Sequence, residues 1–239
     1  MILFNLILFN LILFKFILFY YSLFETTLTM LYPKLFKSFK SFKPLTLLCS
    51  VVVLTACGTP VRYEGIKTSG YGLTEAATLD AATRVSINRL AKALKALDPK
   101  VSATDAAVLA REAHLYPMYL ANVWNVSSPP LINNYLRNSD KREYGLCIDW
   151  AYAMRQRMRG LNLNSFDWHW GIANEGSEWR EHSTLVATAK GAGFNQGIVL
   201  DPWRNSGKLF WSGTTEDSSY KWRGYIEPPG WTPSRLDSF

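Results

Sequence analysis

The sequence predicts an α+β domain in which one helix packs on an antiparallel sheet, and three observations carry that prediction. Leu146, Trp150, Met154 and Met158 recur every four positions, a stripe for one buried helix face, before Gly160 stops the run. From Phe166 the alternation changes to a period of two, the signature of strands. The turns between successive strand-like runs are too short for crossovers, so neighbours must run antiparallel.

The elements follow in chain order. Residues 1–24 are a near-repeat of Ile-Leu-Phe-Asn broken by Lys15, a compositional bias with no sign of a packed domain. Met30 opens a self-sufficient signal: Lys34, Lys37, Lys40 and Lys43, then the apolar run Leu45 to Ala56. The expectation is that translation starts at Met30, that residues 1–29 lie outside the precursor, and that residues 30–56 are a signal peptide. At 12 residues the apolar run falls short of the roughly 20 that a spanning helix needs. Its ending, Leu54-Thr55-Ala56-Cys57, resembles the lipobox of bacterial lipoproteins. That resemblance implies a lipid on the Cys57 sulfur, cleavage before Cys57, and a lipid bilayer as partner. Gly58, where inner-membrane retention would use aspartate, implies the cell envelope at the periplasmic face of the outer membrane.

The expected mature chain, residues 57–239, is long enough for one domain with a core of its own. It carries 21 lysines and arginines against 18 aspartates and glutamates, a scattered +3 that gives no case for nucleic-acid binding. All nine tryptophans fall within it, most of them expected in the core. Residues 57–73 are Gly-rich and polar and read as a tether, and residues 74–239 as a single domain. Ile87, Leu90, Leu94 and Leu97 mark an amphipathic helix starting at Thr74 as N-cap and stopping at Asp98-Pro99. A second helix runs from Thr104-Asp105 toward Tyr116, where Pro117 ends or kinks it; His114 within it reads as an ordinary surface or core residue. Residues 122–140, with Ser127-Ser128-Pro129-Pro130 and Asn133-Asn134, read as loop.

The candidate chemistry starts at Cys147. Cys49 lies in the signal and Cys57 takes the lipid, so Cys147 has no partner in the mature chain. It is a reactive thiol, an intermolecular bridge or a buried small residue. It sits in the first turn of the predicted helix, where unpaired backbone N–H groups and the dipole favour a thiolate and can receive an oxyanion. Asp149 reads as a first-turn acid complementing that dipole. The strands follow as Phe166–Ala173, His182–Thr188, Gly197–Trp203 and Lys208–Trp211. His182 opens the second and Asp201 lies near the end of the third.

Gly145-Leu146-Cys147 at a helix start, His182 at a strand start and Leu200-Asp201-Pro202 at a strand end resemble the transglutaminase-like superfamily of papain-fold cysteine enzymes. The resemblance spans roughly residues 140–212 and implies a catalytic triad of Cys147, His182 and Asp201. In such a triad histidine takes the thiol's proton and returns it to the leaving amine, while the carboxylate fixes the ring's tautomer and orientation. His169, in Trp168-His169-Trp170, is an alternative base or a cleft residue, and Trp168, Trp170 and Trp203 are further cleft candidates. Cys147, His169 and His182 are ligand types for zinc, but no pair stands at ligand spacing, so neither metal nor cofactor is expected. The expected activity is a cysteine hydrolase or acyltransferase, such as a peptidase or amidase, acting on amide bonds of peptide, protein or peptidoglycan. The alternative is a non-catalytic envelope lipoprotein, either a structural one or one that binds through a groove lined by Trp168, Trp170, Trp203 and Trp211.

Overall fold

A computed structural model describes residues 58–68, 72–177 and 180–227. The expectations for the extension, the signal peptide and Cys57 lie outside the described residues. Among the described residues no helix is long and apolar enough to cross a membrane.

Helix α1 (Ala81–Lys95) is capped by Asp80, whose carboxylate accepts from the Thr83 amide at 2.7 Å and the Thr83 hydroxyl at 2.8 Å. The cap is therefore not Thr74. That residue gives its amide and hydroxyl to the fully buried Glu112 carboxylate, at 2.5 and 3.0 Å. Helix α2 (Ala103–Val123) runs through Pro117 instead of ending there. Proline in a helix interior removes one backbone bond and costs about 3 kcal/mol. The turn that follows buries Met118, Leu120 and Ala121, which offsets that cost.

The stretch expected as loop holds β4 (Ser127–Ser128), a cis peptide bond before Pro129, and helix α3 (Leu131–Asn138). Asn133 explains the misreading: its amide bonds both the N–H and the carbonyl of Ser127, each at 2.8 Å. Asparagine signals loops because it bonds backbone, and here it uses that capacity to fasten a helix. The expected tether is likewise fastened. Strand β1 (Thr59–Pro60) pairs with β4, and β2 (Ile66–Lys67) with β3 (Glu75–Ala76). Gly58 lies so close to α3 that an added Cβ would sit 2.5 Å from Ile132 Cδ1.

Helix α4 (Cys147–Gly160) buries Trp150, Met154 and Met158, as the stripe predicts. It packs on an antiparallel five-stranded sheet ordered β8-β7-β6-β5-β9, built from β5 (Phe166–Ala173), β6 (His182–Ala189), β7 (Ile198–Asp201), β8 (Phe210–Gly213) and β9 (Arg223–Tyr225). The first four form the expected meander; β9 returns to the far edge beside β5. Mixed helix and antiparallel sheet make the domain α+β. Alternation sorts the sheet's side chains. Leu185, Ala187, Ile198 and Leu200 join Met154, Met158, Leu90, Leu94 and Leu109 in the core beneath the helices. Val186 and Val199 face the other way and are covered by Trp222, Tyr220 and Phe194. The segment between β8 and β9 must cross three strands, and this strap brings Tyr220 and Trp222 onto that second face.

Candidate active site

Cys147 is the first residue of α4, half-buried, with no disulfide. The turn before it depends on Gly145, whose φ of +135° suits glycine and whose added Cβ would meet Asn133 Cβ at 2.9 Å. Asp149 accepts from the amides of Gly145 and Leu146, at 2.8 and 2.9 Å, and so fixes the chain at the helix entrance. Burial pushes its carboxyl up, against those two amides and Arg137, whose Nε lies 3.9 Å away. The sequence anticipated a dipole partner; the carboxylate also clamps the turn that delivers the thiol.

His182 and Asp201 project from the strap-covered face. The His182 Nε2–H donates to Asp201 Oδ2 at 2.7 Å, with both side chains at most 2 % exposed. That leaves Nδ1, buried and without a conventional hydrogen-bond partner, for Cys147. Burial alone would lower the ring's pKa, but Asp201 and Cys147 outweigh it and the ring is pushed up to about 9. At neutral pH the histidine is therefore an imidazolium between a carboxylate and a thiol. This is the state that stabilises a thiolate and holds a proton for a leaving group.

Asp201 is braced from its other side. Arg204 Nε donates to the same Oδ2 at 2.7 Å, and the Trp203 amide to Oδ1 at 3.1 Å. The Arg204 guanidinium continues to Asp217, which also accepts from Trp222 Nε1 at 2.9 Å. Rings of Trp203, Tyr220 and Trp222 surround His182 with centroids at 4.7, 4.7 and 5.5 Å. The residues of this brace, Arg204, Asp217, Tyr220 and Trp222, were not anticipated from the sequence. The three-residue spacing of Asp201 and Arg204 was the one local signal; Asp217 and the strap aromatics meet the site only through the fold.

A cleft of about 420 Å³ opens over Cys147 and His182. Its walls include Pro129, Pro130 and Asn134 at the start of α3, Trp203 beside β7, and Ser219 and Tyr220 of the strap. Trp203 Nε1 donates to Asn134 Oδ1 at 3.1 Å and holds that wall to the sheet. Arg180 and Glu181 stand at its rim, exposed.

Three of the expected cleft residues lie elsewhere. His169 pairs in register with Val186, four residues along β6 from His182, about 13 Å at the strand rise of roughly 3.3 Å per residue. It bonds Thr188 Oγ1 at 3.0 Å, and burial, working against Asp167, lowers its pKa. Trp168 packs on the helix-side core, and Trp170 is buried there with Nε1 donating to Ser183 at 3.3 Å. Alternation along β5 points both toward the helices. Trp211 gives its N–H to Ser86 on α1, so of the four groove tryptophans only Trp203 lines the cleft. His169 therefore joins neither a catalytic pair nor a zinc set with Cys147 and His182. Among the described residues no group of three or more histidines, cysteines, aspartates or glutamates could hold a metal ion.

Comparisons with protein-family models, with curated proteins and with solved structures gave no match.

Proposed function

We propose that this protein is a membrane-tethered cysteine hydrolase or acyltransferase acting on amide bonds, with a papain- or transglutaminase-like core. Its nucleophile is Cys147, its acid and base His182, and its orienting group Asp201. The observation that carries the reading is the line from the half-buried Cys147 through the buried His182 and Asp201, continued by Arg204. A merely structural histidine gains nothing from a second cation, largely buried at 13 % exposed, behind its carboxylate. A base that must keep one tautomer through a reaction does.

In the forward step the thiolate attacks the amide carbonyl. The N–H groups at the start of α4 donate to the developing oxyanion, and the imidazolium protonates the departing amine. Water or a second amine, deprotonated by the now neutral ring, releases the acyl group. Attachment through Cys57 to the cell envelope, on the periplasmic face of the outer membrane, completes the proposal and makes peptides, envelope proteins or peptidoglycan the substrates within reach.

The test needs no substrate. Iodoacetamide should alkylate Cys147 in the folded protein at neutral pH faster than it alkylates a free thiol, and His182→Ala should remove the excess. Labelling that is slow in the folded protein and appears only in denaturant would reject the enzyme.

A further inference from the structure

Helix α3 is unusual in how its faces are used. Asn133 points inward to the Ser127 backbone, and Asn134 points to the cleft and Trp203. Leu131 and Tyr135, one turn apart, are 62 % and 59 % exposed, among the largest apolar surfaces of the described residues. At 100° per residue Tyr135 falls between Leu131 and Ile132, so the exposed pair lies directly beside Ile132 on the helix surface. Ile132 is the residue against which Gly58 is pressed. From there β1 is tied to β4 immediately before α3, and the Val61 amide donates to the Val126 carbonyl at 2.9 Å.

Cys57 is one peptide bond from Gly58, about 3.8 Å between α-carbons. If Cys57 carries lipid, no free tether separates the acyl chains from the flank of α3. A partner fastened at that spot is held at very high effective concentration, so even a small apolar surface is enough to keep it docked. We propose that the outward face of α3, Leu131 and Tyr135, rests on the phospholipid bilayer, so that the Cys147 cleft, whose wall is the start of the same helix, opens at the membrane surface. The proposal rests on the lipid-anchor reading of Cys57 and deepens it: the substrates it favours are amides carried close to the bilayer, not those displayed far above it. Nearby charges neither drive nor oppose this contact strongly, because Arg137, Lys141 and Arg142 stand against Asp140 and Glu143. The contact should therefore depend on the apolar pair more than on anionic headgroups.

The full-length lipoprotein, carrying Cys147→Ser so that single labels can be placed, would be reconstituted in vesicles of phosphatidylethanolamine and phosphatidylglycerol. The mass of its N-terminal peptide is read first. Nitroxides are then attached to Leu131→Cys, Tyr135→Cys, and two exposed apolar controls, Val85→Cys on α1 and Ile226→Cys beyond β9. The expected result is a lipidated Cys57 with a raised ratio of oxygen to nickel-chelate collisions at 131 and 135 but not at 85 or 226. A lipidated Cys57 with all four labels equally open to the nickel chelate overturns this proposal and leaves the anchor intact. A peptide without lipid overturns both. Dipolar broadening between labels at 131 or 135 on two copies identifies the face as a self-association surface and likewise overturns it.

Discussion

His182 and His114 are equally buried, each 2 % exposed, yet at neutral pH one is charged and the other is not. His114 lies in α2, with Nδ1 against the Ala110 carbonyl at 2.7 Å and Nε2 against the Ser86 hydroxyl at 2.8 Å. Burial lowers its pKa to about 4, and the Ala110 carbonyl does not make up the loss. His182 suffers the same desolvation but faces a carboxylate and a thiol, and its pKa rises to about 9. Burial therefore says nothing about role; the acids around the ring do. Neutral partners make His114 a rivet between α1 and α2, and the Asp201 carboxylate makes His182 a proton store.

The largest test of that contrast is Asp201→Asn. An amide can present the wrong tautomer to the ring, which in triad enzymes costs on the order of 10⁴ in turnover. The same change should bring the His182 midpoint, followed by NMR, well down from about 9. A midpoint that stays there would show that the carboxylate is not its cause.

The second test is the pH dependence of stability. Below 6.5, the unfolded histidine value, His182 is protonated in both states and its stabilisation is complete; it is lost as pH rises from 6.5 through about 9. His114 acts in the other direction. Between about 4 and 6.5 only the unfolded state takes its proton, so stability falls as pH drops through that window. The two contributions thus have opposite slopes on either side of pH 6.5. Thermal melts from pH 4 to 9 check this, and His114→Leu should flatten the acid limb alone.

His114→Leu should also cost about 2 kcal/mol at neutral pH, because it leaves the Ser86 hydroxyl and the Ala110 carbonyl without their ring partner. It should leave the alkylation rate of Cys147 unchanged; a slowed rate would break the division between rivet and proton store. The smallest effect belongs to His169→Ala. This residue loses one bond to Thr188, so melting should shift by less than about 1 kcal/mol and thiol reactivity not at all.

The parts of this molecule legible in the sequence are those written in local periodicity. The α4 stripe with Cys147 at its start, and the meander with His182 and Asp201 on it, follow from spacings of four and two. What escaped was decided by contacts distant in sequence. Pro117 ends a helix only if nothing beyond it needs burying, and Met118, Leu120 and Ala121 do. The 57–73 stretch looks free by composition, but its backbone finds β-partners at 75–76 and 127–128. Trp168, His169 and Trp170 cluster in sequence just before the strand that His182 opens, yet alternation points the tryptophans to the core and four strand positions separate His169 from His182. The Arg204–Asp217–Trp222 brace carries no motif, because its members meet only when the strap crosses the sheet.

That strap also sets a clock. Cys147, His182 and Asp201 are synthesised, and on an exported chain delivered, before Asp217, Tyr220 and Trp222. Until the last of these arrives, Arg204 lacks its second anchor and one wall of aromatic rings around His182 is missing. A chain emerging amino end first therefore carries its thiol ahead of the aromatic wall and the Asp217 anchor, and a chain cut short before the strap lacks both.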